Sequence, residues 1–288
     1  MQYLAAWYSL VVYLSFFTPL SKQYKKIAKS FKEGIFVLAF LPYLFASNFA
    51  LDFELLKISV YFTVVIIFLR LAKYFPKNEF LFQFLAVLSL WLAIEFDWLP
   101  EVEGLLAAGV PVPLSALIGL LLLLFAFRIV YSLEDIGLSF ALGFKDIAFA
   151  MIGVLAFAII GLPIGIAINF LNFNFILPDI ASLASGLIFG YLFVALAEEI
   201  LFRGVIQNLF YTVFSNKFIA LAMASIIFGL SHINNKTAGF STPNWGFVLL
   251  ATMAGFCYGG VYLKTKKVTA AAITHLFVNL IWLLFFAS

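Results

Sequence analysis

The stretch Ala181–Arg203, ASLASGLIFGYLFVALAEEILFR, joins a long apolar run to three charged residues. A membrane-spanning helix needs about 20 predominantly apolar residues, so this stretch is long enough to cross a bilayer. Packing does not require Glu198, Glu199 and Arg203 at such a place, because a charge at the centre of a membrane helix costs about 2.5–3.5 kcal/mol. Ionisable groups inside a membrane helix are therefore candidates for a functional site.

The whole chain has the composition of an integral membrane protein. Hydrophobic residues make up 65% of the 288 residues and charged residues 11%, whereas soluble domains contain about 45–50% and about 25%. A soluble core could not bury this much apolar surface, but lipid can cover it. The net charge of +3 is too small to indicate a nucleic-acid partner. With Cys257 as the single cysteine, no intrachain disulfide can form.

We predict an all-α, polytopic bundle of about eight to ten transmembrane helices, in the cell membrane if the source is prokaryotic. The first apolar run is interpreted as a membrane helix, because a signal peptide would begin with a basic stretch, and a signal anchor is the alternative. The run 181–214 is long for one crossing, so it must tilt, kink near Gly204 or end at the interface. The most polar internal stretch, 133–146, is expected to form a loop or an amphipathic surface piece. The predicted crossings are residues 1–20, 35–51, 55–73, 80–96, 105–127, 147–170, 181–214, 217–233, 245–263 and 268–287.

The distribution of basic residues suggests an orientation. If all ten segments cross and both ends lie outside, most Lys and Arg residues fall in the inner loops, as the positive-inside rule requires. The Lys22–Lys32 cluster is interpreted as a topology anchor, with contact to anionic lipid as the alternative. Small residues also recur at every fourth position in two predicted helices, a spacing that lets helix backbones approach closely in lipid. These are Ser182, Gly186 and Gly190, and then Ala251, Gly255 and Gly259.

The spacing of the three central charges separates their roles. Glu199 and Arg203 are four residues apart, so they share a helix face and can form an ion pair. Glu198 is rotated by about 100° from Glu199 and lacks that partner. It therefore remains free to act on a substrate or a water. The alternative interpretation is an interfacial charge cluster at a helix end.

The chain has only two histidines, and each has a partner four residues away. Phe228 and His232 share one helix face, and His275 and Asn279 share another. The second pair points an imidazole and an amide in one direction, which suits holding an oxyanion or fixing a ligand. A hydrogen-bonded packing role is the alternative for each histidine.

Sequence distances place the first histidine at the level of the glutamate. If Ser215–Lys217 is the turn of a helical hairpin, Glu198 lies 17 residues before Ser215 and His232 lies 17 residues after it. A carboxylate and an imidazole at one depth can bind and deprotonate a water. His275 would lie closer to the end of its own helix, so either the helices are offset or the segment after His232 dips inward.

The order and spacing of these motifs resemble the CAAX prenyl endopeptidase type II family, also called CPBP or Abi, over roughly residues 145–287. The resemblance divides the chain into N-terminal helices of unassigned role, residues 1–144, and a catalytic helix core, residues 145–288. The motifs that carry it are Glu198-Glu199-x-x-x-Arg203, Phe228-x-x-x-His232 and His275-x-x-x-Asn279.

This resemblance implies an intramembrane endopeptidase that cleaves a membrane-associated, membrane-embedded or lipidated protein or peptide. Glu198 and His232 would activate a water for attack on the peptide carbonyl. His275 and Asn279 would stabilise the oxyanion, and Glu199, Arg203 and Phe228 would support the site.

A zinc site and two other functions are the alternatives. Glu198, His232 and His275 could ligate zinc. The chain lacks a His-Glu-x-x-His motif, however, and Asn279 would be a poor ligand, so a metal-free glutamate-type site is favoured. The same fold could serve as a non-catalytic scaffold or immunity factor. A proton-coupled transporter is disfavoured, because the N-terminal half contains no second glutamate motif that would indicate repeated halves.

Overall fold

The chain folds as two compact units, Met1–Glu134 and Asp135–Ser288. The computed structural model describes residues 1–100, 102–106, 111–133, 136–237 and 239–286. The division lies ten residues before the one predicted at residue 144. The loop before residue 144 belongs to the second unit because it is hydrogen-bonded there: the Val268 N–H donates to the Gly137 carbonyl at 3.1 Å, and the Thr269 hydroxyl donates to the Ser139 carbonyl at 2.6 Å.

The first unit is built around one helix, α6. Residues 117–127 of this helix are all buried, as expected for a sequence that is apolar on every side. Helices α1, α3 and α5 pack against α6, and α4 pairs with α5. The helices of this unit are α1 (Gln2–Ser15), α2 (Ser21–Phe31), α3 (Val37–Ala46), α4 (Phe53–Tyr74), α5 (Glu79–Glu95) and α6 (Leu114–Val130), with 3₁₀ turns at Lys32–Phe36 and Pro76–Asn78.

Three predicted crossings differ from the structure in this unit. The segments 1–20 and 35–51 contain α-helices of only 14 and 10 residues, α1 and α3, which are short for a crossing. The segment 105–127 begins in an antiparallel hairpin of β1 (Glu103–Leu105) and β2 (Pro111–Pro113). Proline disfavours a helix interior, because it lacks an N–H and its ring clashes with the preceding turn. The helix therefore begins only at Leu114.

The second unit has α10 at its centre, in contact with α7, α9 and α11. As predicted, the chain turns between α8 and α9: Ser215 is left-handed with a φ of 51°, and the Asn216 side chain accepts hydrogen bonds from the next helix's first N–H groups. The described residues between 133 and 143 form no helix, as expected for a loop. The helices are α7 (Phe144–Ala167), α8 (Ile180–Phe214), α9 (Lys217–Leu230), α10 (Trp245–Thr265) and α11 (Val268–Phe285).

Helix α8 is unusually long and irregular. Its 35 residues correspond to about 50 Å, more than the roughly 30 Å of a hydrocarbon core. None of the side chains in Ile180–Phe189 is buried. Helix α8 contains two π-helical stretches, Gly190–Ala195 and Ile200–Gln207, which enclose a short α-helical turn, Leu196–Glu199. Gly204 lies in the second of these stretches.

The helix lengths and composition establish an integral, multi-pass membrane protein. Among the described residues, six helices are long and apolar enough to cross a bilayer: α4, the segment Pro76–Glu95, α7, α8, α10 and α11. Helices α6 and α9 are shorter apolar helices. The predicted all-α, polytopic bundle is confirmed, and the ten-crossing orientation stays a prediction.

Glycines allow α9 and α10 to approach closely, and one of them, Gly255, belongs to the predicted series Ala251, Gly255 and Gly259, whereas a Cβ on Gly186 would meet nothing within 4 Å. A Cβ on Gly255 would lie 3.1 Å from the Ser225 Cα. A Cβ on Gly229 would overlap the Thr252 side chain and lie 2.7 Å from the Val248 carbonyl oxygen. The contact of Gly229 with the Val248 backbone cannot be relieved by a rotamer change, so this position requires glycine.

We expect Gly229→Ala to lower the free energy of unfolding by about 1–3 kcal/mol, because the added methyl group overpacks a helix contact. Gly260→Ala is the matched control, since a Cβ there meets nothing within 4 Å, and it should be neutral or stabilising by up to about 1 kcal/mol. Denaturant unfolding in micelles, followed by circular dichroism, measures both. Equal stability of the two variants would contradict this account of the helix contact.

Candidate active site

A cavity of about 440 Å³ in the second unit is lined by residues of α7–α11 and of the segment after α9. The structure brings to this cavity all four residues predicted to be catalytic and one predicted to support them. The lining includes Glu198, Phe228, His232, His275 and Asn279.

Glu199 and Arg203 lie behind the cavity and are fully buried. The predicted ion pair is present: Arg203 Nη1 donates to Glu199 Oε1 at 2.9 Å. His275 Nδ1 is 3.0 Å from the same carboxylate oxygen. A carboxylate oxygen accepts, so this nitrogen carries a hydrogen and donates it. The Arg203 Nη2 donates in addition to the Gly255 carbonyl at 3.0 Å.

Glu198 occupies a different environment from its neighbour. Its side chain is 33% exposed, whereas the Glu199 side chain is 0% exposed. Glu198 Oε2 lies 3.9 Å from His275 Nε2 and has no hydrogen-bond partner among the described residues. The two adjacent glutamates therefore have different environments, as predicted: Glu199 is held in a buried ion pair, and Glu198 faces the cavity.

His232 presents one nitrogen that is free to accept a proton. Its Nδ1 is 2.8 Å from the Phe228 carbonyl oxygen, which can only accept, so Nδ1 carries the hydrogen. In the neutral ring Nε2 is then the basic nitrogen. His232 lies in the connection after α9, and burial there lowers its pKa below the usual value, while the charge of Glu198 acts in the opposite direction.

The segment after His232 folds back over the cavity. Asn244 holds it in place: the Asn244 N–H donates to the Ile233 carbonyl at 2.7 Å, and its side-chain Nδ2 donates to the Asn235 carbonyl at 2.8 Å. Asn235 and Thr237 consequently line the cavity. This segment therefore contributes to the cavity, and the relative depth of the two histidines in the membrane stays a prediction.

Two aromatic rings fix the buried charges and imidazoles. Phe228 makes edge contacts with His232 and His275 at centroid distances of 4.9 and 5.7 Å, and the Arg203 guanidinium lies 4.6 Å from its ring. Tyr258 stacks on His275 at 4.5 Å with an interplanar angle of 15°. It also lies 5.3 Å from the Arg203 guanidinium. Sequence reasoning missed Tyr258, because nothing distinguishes it from the other 11 tyrosines.

The far end of the cavity is apolar and aromatic. Phe247 contacts His232 at 4.8 Å on one side and stacks on Trp282 at 5.6 Å on the other. A smaller apolar cavity of about 110 Å³ runs between α8 and α11 and shares Val194 and Asn279 with the main cavity. Asn279 is exposed and stands where the two cavities adjoin.

The three residues considered as alternative zinc ligands, Glu198, His232 and His275, line the same cavity. No three His, Cys, Asp or Glu side chains in the described ranges are placed so that they could hold one metal ion. The Nδ1 atoms of both histidines are already bonded to protein oxygens, which leaves one nitrogen on each ring.

Residues 178–281 match the family model for Type II CAAX prenyl endopeptidase Rce1-like proteins. The matched segment contains all seven predicted site residues, and the first structural unit lies outside it. Comparison of the chain with curated proteins and with solved structures returned no match.

We expect Arg203→Met to destabilise the protein by about 3–5 kcal/mol, because it leaves the Glu199 charge buried without its partner. The double variant Glu199→Gln/Arg203→Met should recover most of that loss, since glutamine can still accept the His275 hydrogen bond. Denaturant unfolding of the two single variants and the double variant measures the coupling.

Arg70→Gln is the control for this comparison of the Glu199 and Arg203 variants. It breaks the ion pair with Glu33, in which the arginine side chain is 66% exposed, and should cost at most about 1 kcal/mol. A double variant whose loss equals the sum of the single losses would show that Glu199 and Arg203 are not coupled.

Proposed function

We propose that this chain, whose residues 178–281 form a type II CAAX prenyl endopeptidase domain, hydrolyses a peptide bond of a membrane-associated substrate with water activated by Glu198 and His232. The family accounts for the general activity, an intramembrane endopeptidase. The observation that carries the finer proposal is the convergence of Glu198, His232, His275 and Asn279 on one cavity while Glu199 is held in an ion pair.

Glu198 is the proposed general base. Its side chain is 33% exposed and lines the cavity, and its Oε2 has no hydrogen-bond partner among the described residues. His232, with its Nδ1 hydrogen held by the Phe228 carbonyl, offers Nε2 to the same water. A water held between these groups would lose its proton to Glu198 and attack the peptide carbonyl carbon as hydroxide.

The tetrahedral intermediate places negative charge on the former carbonyl oxygen. Asn279 can donate its amide hydrogens to this oxyanion. His275 lines the same cavity and can add a hydrogen bond from Nε2 when its ring is protonated, because Nδ1 already donates to Glu199. Glu199 holds the other nitrogen of His275, so the ring cannot rotate. Glu198 then returns its proton to the leaving nitrogen as the C–N bond breaks, and both products are released.

The apolar part of the cavity supports a substrate with apolar side chains next to the scissile bond. Phe247, Trp282 and Phe157 line that part, and the smaller cavity adjoins it at Asn279. The proposed substrate is therefore a membrane-embedded or lipidated protein or peptide, bound with an apolar segment against these rings.

We expect Glu198→Gln to abolish cleavage while the protein stays folded, because the amide fills the same space but cannot accept the proton of the water. The measurement is a comparison of membrane-protein termini in cells that express the wild type or the variant, in which an uncleaved precursor should accumulate. Glu54→Gln, on α4 in the first unit, is the control and should process the precursor normally.

The same cells and the purified protein distinguish the proposed enzyme from a non-catalytic scaffold and from a zinc metallopeptidase. An unchanged set of termini in Glu198→Gln cells, with the biological function retained, would favour a non-catalytic scaffold. Stoichiometric zinc in the purified wild type that disappears in His232→Ala would replace the glutamate-type mechanism with a metallopeptidase.

We expect Tyr258→Leu to lower kcat by up to about tenfold on the substrate so identified, because removing the stacked ring frees His275 and such contacts contribute about 0.5–1.5 kcal/mol. Tyr258→Phe keeps the ring and should restore kcat. A rate that falls equally in both variants would assign the effect to the hydroxyl group.

A further inference from the structure

We propose that α2 lies in the plane of the membrane interface and binds anionic lipid headgroups through its lysines. The helix has the sequence SKQYKKIAKSF, contains no acidic residue and has no buried side chain. It belongs to the first unit, outside the segment that carries the proposed protease activity.

The side chains of α2 divide into two opposite faces. At about 100° per residue, the apolar side chains of Leu20, Tyr24, Ile27 and Phe31 fall within an arc of about 60°. The lysines centre on the opposite side of the helix and comprise Lys22, Lys25, Lys26 and Lys29. A short helix with one apolar and one strongly basic face is typical of segments that lie in a membrane interface.

The protein covers only part of the apolar face. Tyr24 anchors the helix through its hydroxyl, which is 2.8 Å from the Ser15 hydroxyl, and through ring contacts with Phe16 and Phe125 at 5.3 and 5.2 Å. Ile27 and Phe31 lie on the same face but are 42% and 71% exposed. In a membrane protein, acyl chains are the apolar phase that can cover these side chains.

The transmembrane helix α4 indicates that α2 lies at the level of the membrane interface. Helix α4 has 22 residues, or about 33 Å, which matches a hydrocarbon core. Near the C-terminal end of α4, Arg70 Nε donates a hydrogen bond to Glu33 Oε1 at 3.3 Å. Glu33 lies two residues after the end of α2. The end of a transmembrane helix and α2 therefore share one level. The acidic residues Asp52 and Glu54 lie at the opposite end of α4.

Charge complementarity identifies the partner as anionic phospholipid. Lys22, Lys26 and Lys29 are exposed and form no salt bridge within the part of the chain that the structure describes. Glu33, the nearest acidic residue in sequence, is engaged by Arg70. Each lysine near an anionic surface favours binding by about 1 kcal/mol, or about fivefold.

The test uses the full-length protein in nanodiscs that contain equal amounts of phosphatidylcholine and phosphatidylglycerol. Native mass spectrometry counts the phosphatidylglycerol molecules that stay bound. We expect the variant with Lys22, Lys25, Lys26 and Lys29 all replaced by Gln to lose at least half of those retained by the wild type. The variant with four Arg replacements keeps the charge and should retain them. Equal retention by the Gln variant and the wild type would overturn the proposal.

A second measurement tests the position of the helix without removing its charges. In a Cys257→Ala background, spin labels at Phe31→Cys and Lys29→Cys report the accessibility of each face. The label at position 31 should collide with oxygen, which concentrates in lipid, and the label at position 29 with a water-soluble nickel complex. The reverse pattern, or two labels both exposed to water, would show that α2 does not lie in the interface.

Discussion

The buried carboxylate of Glu199 is the constraint on which the rest of the site depends. One of its oxygens accepts hydrogen bonds from Arg203 and His275, and Arg203 also reaches the Gly255 carbonyl. These contacts connect α8, α11 and α10. Each charge would be costly in a lipid-embedded interior without its partner, so the three helices can pack in only a few ways. His275 therefore reaches the cavity in an orientation that this one carboxylate oxygen fixes.

The same constraint allows two adjacent glutamates to differ. Glu198 and Glu199 end the short α-helical turn Leu196–Glu199, between two π-helical stretches of α8. π-Bulges are rare and occur often at functional sites, because an extra residue in a turn changes which side chains face a neighbour. One carboxylate can thus be committed to structure while the next faces the cavity where the proposed chemistry takes place.

Much of this site could be predicted from sequence because charges and histidines are scarce in an apolar chain. The i,i+4 pairing of Glu199 with Arg203 and the turn at Ser215 follow from spacing alone. Tyr258 could not be found in this way, since 19% of the residues are aromatic and any of them can pack. The ends of α1 and α3 were missed for a related reason. Hydropathy measures whether a segment tolerates lipid, but does not determine where its helix ends, as the β-hairpin before α6 also shows.

The uncovered first part of α8 has a thermodynamic consequence. Ile180–Phe189 has no buried side chain, and apart from the Asp179 cap, which accepts from the Ser182 N–H at 3.0 Å, little in the protein fixes it. In hydrocarbon, a broken backbone hydrogen bond finds no water to replace it. The lipid therefore keeps this segment helical, whereas tertiary contacts do so for the buried helices of the protein. The order of these ten residues is a property of the bilayer as much as of the fold, and it will vary with the thickness and composition of the lipid that surrounds them.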